Sequence, residues 1–340
     1  MKAYWKPLAI LGAAFFGLAT AASSASADPV NIRIAWAQMP GHMIPVLFSN
    51  KSILKHYGTS YTVTPVLFRG STPQITALAA KELDMAAFSP PALALSVTNA
   101  HLQPRVVADI IEDGIPGYHS DTFMVKADGP IKTIADLKGK RIGTNAIGSS
   151  MDTAMRVITA NAGLQDHRDF SVVEAAFSSM PAMLEQSKVD CGPILQPFSD
   201  DLAKAGKLRV LFTTAQAVGP SQVVFLAARA DFLAAHPAAM HDFFEDYIRA
   251  FRWFMDPKNK QAAVKIIADF MKQPPENFSY LFTKADYYRD PYMVPNVKYI
   301  QSAIDAALQA GALKQDMTVA PKYVDLSWIN DAKKRVQANP

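Results

Sequence analysis

The sequence predicts an α/β fold of two doubly wound lobes joined by a two-segment hinge, and three observations carry that expectation. Short apolar runs alternate with helical patterns from Asn31 onward. The same alternation restarts at Thr122. One further apolar strand, Gln222 to Ala228, then precedes a tail that is nearly all helical. The alternation implies mostly parallel sheets covered by helices on both faces, and 340 residues suffice for two domains.

In the first unit, Asn31–Ala37, Tyr61–Phe68, Met85–Phe88 and Arg105–Ile111 are rich in β-branched and apolar residues and read as strands. Between them Ile44–His56, Thr72–Lys81 and Pro90–Ala100 read as helices, the last opened by two prolines that a first turn tolerates. In the second unit the expected strands are Thr122–Lys126, Arg141–Thr144, Phe170–Glu174, Cys191–Leu195 and Leu208–Thr213. The expected helices are a short capped one at 133–137, then Ser149–Ala162 and Met180–Ser187. In the tail, Phe243, Phe244, Tyr247, Ile248, Phe251 and Phe254 recur at helical spacing and form a core-packing face over Met240–Met255. Helices are also expected at Lys260–Met271, Pro295–Ala310 and Val324–Val336. The economical arrangement inserts the second lobe, 119–223, into a first lobe made of 28–118 plus 224–340. Two segments then cross, near Tyr118–Thr122 and Gly219–Val223, and make a hinge beside a shared cleft.

The N-terminus has the form of a cleavable export signal. Lys2 and Lys6 form a basic start, Leu8–Ala22 is apolar and small, and Ala25-Ser26-Ala27 is a cleavage site, so residues 1–27 are expected to be removed. The apolar run is shorter than the roughly 20 residues a spanning helix needs. The only cysteine, Cys191, is far from that site, which excludes lipid anchoring there and an internal disulfide. The expected location is the periplasm. The net charge is +4, and the 32 basic residues left without Lys2 and Lys6 nearly balance 30 acidic ones. Neither nucleic acid nor an anionic membrane surface is implied as a partner.

No G-x-S-x-G, H-E-x-x-H, C-x-x-C, P-loop or dinucleotide fingerprint occurs, so the residues call for no cofactor, no metal and no catalytic group. The strand-end loops are more informative. They are Trp36-Ala37-Gln38-Met39-Pro40-Gly41-His42, Phe68-Arg69-Gly70-Ser71-Thr72-Pro73, Phe88-Ser89-Pro90-Pro91, Asn145–Asp152, Phe177-Ser178-Ser179 and Gln196-Pro197-Phe198. Ser71, Ser89, Ser149 and Ser178 each stand at an expected helix N-terminus, where free N–H groups and the helix dipole favour an anion. Each also serves equally as an ordinary N-cap. Gly148-Ser149-Ser150 is the strongest of the four, because glycine permits close approach. Arg69 is the one permanent cation in these loops. It is a candidate for bidentate contact with a carboxylate or sulfonate, and a surface salt bridge is its other reading. Trp36, Phe68, Phe88 and Phe198 either line the cleft or pack within the sheet.

Three stretches resemble a known family. Gly70–Ala86 is similar to a helix followed by a "G-x-x-D-x-G" strand entry, with Lys81 and Ala86 in place of the glycines. Ile134-Ala135-Asp136-Leu137-Lys138-Gly139-Lys140-Arg141-Ile142-Gly143 and Met183-Leu184-Glu185-Gln186-Ser187-Lys188-Val189-Asp190-Cys191 resemble the family's "D-L-K-G-K" and "A-L-x-x-G-x-V-D-A" stretches. The family is the nitrate/sulfonate/taurine branch of the periplasmic solute-binding proteins of ABC importers. The resemblance implies a type II periplasmic binding protein fold that closes on one small ligand, monomeric, with a membrane permease and its cytoplasmic ATPase as partners. It carries over the strand-end loops as ligand-binding positions: Trp36, Gln38, Met39, Phe68, Arg69, Gly70, Ser71, Ser89, Gly148, Ser149, Ser150, Phe177 and Phe198. Relatives often have a Gly-Tyr or Gly-x-x motif after the first strand, where this chain has Trp36-Ala37-Gln38-Met39, so the resemblance carries over no particular ligand. The expected ligand class is a small organic anion: a sulfonate, taurine, or an aromatic or aliphatic carboxylate. A thiamine-precursor pyrimidine, or service as a ligand-sensing subunit of a receptor, are the alternatives.

Overall fold

The computed structural model describes residues 1–3, 28–38 and 40–339. Most of the expected export signal, with its cleavage site, and Met39 lie outside the described residues. The first unit runs β1 (Val30–Trp36), α1 (Ile44–Leu47), β2 (Tyr61–Leu67), α2 (Gln74–Ala79), β3 (Met85–Phe88), α3 (Pro90–Thr98) and β4 (Pro104–Asp113). The second runs β5 (Thr122–Lys126), β6 (Arg141–Thr144), α4 (Ser150–Asn161), β7 (Ser171–Glu174), α5 (Met180–Glu185), β8 (Gly192–Ile194), α6 (Phe198–Lys204), β9 (Leu208–Thr213) and α7 (Thr214–Val218). The chain ends with β10 (Ser221–Arg229), α8 (Ala230–Ala235), α9 (Pro237–Met255), α10 (Lys260–Met271), α11 (Val297–Gln309) and α12 (Ser327–Ala338).

The larger lobe is built on a five-stranded sheet in the order β2-β1-β3-β10-β4. β1 is parallel to β2 and β3, whereas β10 is antiparallel to both β3 and β4. The expected mostly parallel sheet is therefore mixed. The strand returning from the second unit slots between β3 and β4, which alternation along the chain does not reveal. The smaller lobe holds an antiparallel β8-β5-β9 sheet and a parallel β6-β7 pair. These are bridged where the Gly143 N–H donates to the Cys191 carbonyl at 2.7 Å.

The expected helix at Ile44–His56 shrinks to one turn at Ile44–Leu47. Its second half is drawn away by Asp246 on α9, whose carboxylate accepts the Lys55 and His56 N–H groups at 2.8 and 2.9 Å and the Tyr61 hydroxyl at 3.0 Å. A buried carboxylate with three donors outweighs the weak helix preference of a Ser-Asn-Lys-Ser stretch. The aromatic face of α9 is core, as expected: Phe243, Phe244, Tyr247, Ile248, Phe251 and Phe254 are all fully buried. Each such side chain contributes about 1.5–3 kcal/mol of burial, so the larger lobe has a rigid platform on which its strand-end loops stand. Cys191 is likewise buried in the smaller lobe, and burial pushes its thiol far above the ordinary range.

The two crossing segments are tied side by side. Asp113 Oδ2, at the end of β4, accepts the Asp121 N–H at 2.9 Å and the Thr214 hydroxyl at 2.7 Å. Ser120 Oγ stands 3.0 Å from Thr214 Oγ1 and accepts the Ala215 N–H at 3.0 Å. Burial, with Asp121 close by, pushes the Asp113 carboxyl up to about 6.

Candidate functional site

The loops after β1, β2 and β3 face the loops after β6, β7 and β8 across a cleft at the carboxyl ends of the strands, the usual place for a ligand in open α/β sheets. The cleft divides into two chambers that share the walls Ala37, Gln38, Phe177 and Leu195. The inner one has a volume of about 60 Å³ and the outer about 420 Å³.

The head of α4 enters the inner chamber. Ser149 is its N-cap: the hydroxyl accepts the Asp152 N–H at 3.3 Å and donates to Asn145 Oδ1 at 2.9 Å. Ser150 Oγ donates to the Val223 carbonyl at 3.0 Å. The first two helical N–H groups, on Ser150 and Met151, have no partner among the described residues, and both residues line the chamber. On the opposite wall Ser71 and Ser89 are spent internally. Ser71 Oγ donates to the Ala87 carbonyl at 3.0 Å and accepts the Ser89 N–H at 3.1 Å, while Ser89 caps α3. His42 is buried, and burial, with Arg289 near, pushes it down to about 4, so it is neutral. Its Nδ1 accepts the Ala37 N–H at 3.2 Å, which leaves the proton on Nε2. Among the described residues that line this chamber none is Lys or Arg. Its one carboxylate is Asp121, whose Oδ1 accepts the Tyr287 hydroxyl.

The outer chamber is apolar. Trp36, Leu67 and Phe68 line it from the larger lobe, and Phe177, Pro181 and Phe198 from the smaller. Leu67 and Phe198 are 61% and 40% exposed, although both belong to residue types that are usually covered. Arg69 lines this chamber and not the inner one. Its guanidinium lies 3.5 Å from Glu174 across the cleft, and its side chain is 55% exposed.

The lobes also touch directly. Asn145 Nδ2 donates to the Arg69 carbonyl at 3.2 Å, and Thr72 Oγ1 to the Ile147 carbonyl at 2.9 Å. Gly70 sits at this junction. A Cβ there would stand 2.7 Å from Asn145 Nδ2 and 2.9 Å from the Ala146 Cβ. That close approach, not backbone conformation, requires the glycine.

The strand-end loops expected from sequence thus converge on one cleft. Gln38, Gly70, Ser71, Ser89, Ser149, Ser150 and Phe177 line the inner chamber, and Trp36, Phe68, Arg69 and Phe198 the outer, where Gln38 and Phe177 also reach. One expectation needs correction. Gly148 lines neither chamber: its N–H donates to Asp152 Oδ2 at 2.9 Å, and a Cβ there would meet Leu95 and Thr72 of the other lobe. Of the two readings open for Phe88, the structure has the core one: it is fully buried. Sequence reasoning passed over His42, Asp121, Asn145 and Tyr287. His42 and Asn145 stood within the strand-end loops. Asp121 and Tyr287 are brought in by the crossing and by a turn 166 residues away, for which no local signal exists.

A family model described as the NMT1-like family matches residues 25–268. The chain belongs to the NMT1-like family. A search of curated proteins found no match to the sequence. Among solved structures, the alkanesulfonate-binding protein SsuA of Xanthomonas axonopodis pv. citri, bound to MOPS, is similar at a TM-score of 0.69 and 20% identity, over 88% of this chain and 100% of its own. The periplasmic nitrate-binding protein NrtA of Synechocystis PCC 6803 has a TM-score of 0.69 at 14% identity, over 92% and 89%. The desulfurization enzyme DSZB has a TM-score of 0.63 at 12% identity, over 90% and 99%. This member of the NMT1-like family therefore has the two-lobed α/β fold of the nitrate/sulfonate-type periplasmic binding proteins, a fold that also carries an enzyme. No helix among the described residues is long and apolar enough to cross a membrane.

Proposed function

We propose that the protein is the solute-binding component of an ABC importer and takes a small organic acid with an apolar body into the cleft. The observation that carries this reading is the head of α4, with two unspent N–H groups in a small chamber that opens beside a larger apolar one. Helix N–H groups and the dipole hold the anionic group, and Trp36, Phe68, Phe177 and Phe198 cover the rest. The lobes are 28–118 plus 224–340, and 119–223. They close by rotation about the paired crossings, and ligand contacts to both lobes favour the closed state. The closed surface is what a membrane permease, driven by its ATPase, recognises. Cleavage after Ala27 releases the chain as a monomer into the periplasm. In this reading the protein binds and does not transform its ligand, and its one cysteine, Cys191, is walled off in the core.

An aminopyrimidine is the second reading, favoured by the lack of Lys and Arg among the described lining residues of the inner chamber. The test is a thermal-shift series on mature protein stripped of ligand by unfolding and refolding. Alkanesulfonates, nitrate, benzoate- and phthalate-type acids and an aminopyrimidine form the panel. A ligand at about 100 times its Kd adds about 2.7 kcal/mol, several degrees for a protein of this size. An aryl or alkyl acid is expected to shift the melt. A shift by the aminopyrimidine alone would overturn the anion reading.

A further inference from the structure

A cavity of about 530 Å³ lies apart from the cleft, at the end of β4 and the start of α11. Ile111 and Tyr287 line the inner chamber of the cleft, whereas their neighbours Glu112 and Tyr288 line this cavity, which shares no wall residue with either chamber. Three carboxyls, Asp109, Glu112 and Asp290, act on one another here. Two of them are held by neutral donors. Asp109 accepts a Gln222 side-chain N–H and, at 3.1 Å, the Asp290 N–H. Asp290 Oδ1 accepts the Tyr292 and Val294 N–H groups at 2.8 and 3.2 Å. Glu112 is different. It is 5% exposed and forms part of the cavity wall, and its carboxylate has neither a hydrogen bond nor an ion pair among the described residues. The charges that bear on it, Asp109 and Asp290, are both negative; with burial they push its carboxyl up to about 8. Arg289 does not relieve this cluster, since it is spent on Asp286 and the Gly41 carbonyl. Lys298 stands exposed on the rim and pairs with neither Glu112 nor Asp290 among the described residues.

We propose that this cavity is a second binding site, for a small organic ammonium group held on Glu112 and Asp290 with Tyr288 and Tyr299 as its walls. A buried carboxylate beside two others is costly until a cation reaches it. The cation is organic because no group of three His, Cys, Asp or Glu among the described residues is arranged to hold a metal ion. The remaining walls suit an alkylated nitrogen: Tyr288 and Tyr299 offer aromatic rings, and Ile115, Val294 and Val297 apolar cover. The site is independent of what the cleft takes.

The experiment titrates choline into the mature protein beside its neutral isostere, dimethylbutanol, and butylammonium beside butanol. Calorimetry reads the affinity, and amide NMR shifts at 112–115 and 288–299 read the place. Each ammonium is expected to bind about tenfold or more tightly than its neutral partner. Glu112→Gln, which keeps the shape and removes the charge, is expected to erase that preference. Lys298→Ala is expected to tighten binding severalfold by removing a like charge from the rim. The groups facing Glu112 are Asp109, Asp290, Tyr288, Tyr299 and Lys298. Binding displaces the Glu112 proton, so choline affinity should fall by up to about tenfold per unit as pH drops below about 8, and the slope should shrink in Glu112→Gln. Equal binding of ammonium and alcohol, or shifts confined to the cleft, would overturn the proposal and leave the acid-binding reading of the cleft untouched. A lower melting temperature of Lys298→Ala without tighter choline binding would make that lysine the partner of Glu112 and overturn it as well. The comparison between ligands needs no variant, so poor folding of either variant would not shield the proposal.

Discussion

The two chambers of the cleft are made from the same loops and yet have opposite characters. The inner one is small, walled by serines, Asn145, His42 and Asp121, and its polar atoms are mostly committed to one another. The outer one is several times larger and walled by Trp36, Phe68, Phe177 and Phe198, with Leu67 and Phe198 left partly uncovered. The difference shows how one cleft can divide a ligand's free energy. Directional donors in the confined chamber decide which head group is admitted. Apolar area in the open chamber sets how tightly its body is held.

The sharpest way to break that division is to keep the lobes from meeting. Gly70→Ala places a methyl within 3 Å of two groups on the opposing lobe. Overpacking of this kind costs about 1–3 kcal/mol, a roughly five- to hundredfold loss of affinity. The melting temperature of the ligand-free protein should change little, because the strain is confined to the closed junction. Calorimetric titration of the variant, beside its ligand-free melt, reads both. Wild-type affinity in Gly70→Ala would mean that the ligand is held without the lobes touching there.

A smaller effect is expected in the outer chamber. Phe198→Ala removes apolar cover worth about 1 kcal/mol from acids with a ring or long chain and nothing from a short acid that fits inside. Isothermal titration of benzenesulfonate and ethanesulfonate in parallel separates the two. Equal losses for both would merge the chambers into one site.

The smallest effect is expected at Arg69. Its half-exposed guanidinium, 3.5 Å from Glu174, forms a surface pair of the kind worth under about 1 kcal/mol. Arg69→Ala should therefore weaken binding by less than about fivefold. A larger loss would return Arg69 to the role of direct anion partner that its sequence context suggests.

How much of this was legible beforehand differs from residue to residue. The loops around Gly70-Ser71 and Ser149-Ser150 could be found because Gly, Ser and Pro clusters interrupt apolar runs at strand ends, and that chemistry is local. Strands such as Met85–Phe88, Arg141–Thr144 and Leu208–Thr213 were readable to the residue for the same reason. The place of β10 between β3 and β4 was not, because alternation along a strand carries no information on its neighbours. The truncation of α1 depends on Asp246, about 190 residues away in the chain. Arg69 illustrates the limit most clearly: its type and position suggested an anion contact, and only the opposing β7 residue Glu174 reveals how the charge is engaged.

The central claim is that head and body are sorted between the two chambers. The most direct measurement is a crystal structure of the protein with the aryl acid that raises its melting temperature most. The account predicts the acid group within hydrogen-bond distance of the Ser150 and Met151 backbone nitrogens and the ring between Trp36 and Phe198. A structure with the acid on Arg69 in the outer chamber and the ring turned inward would contradict it.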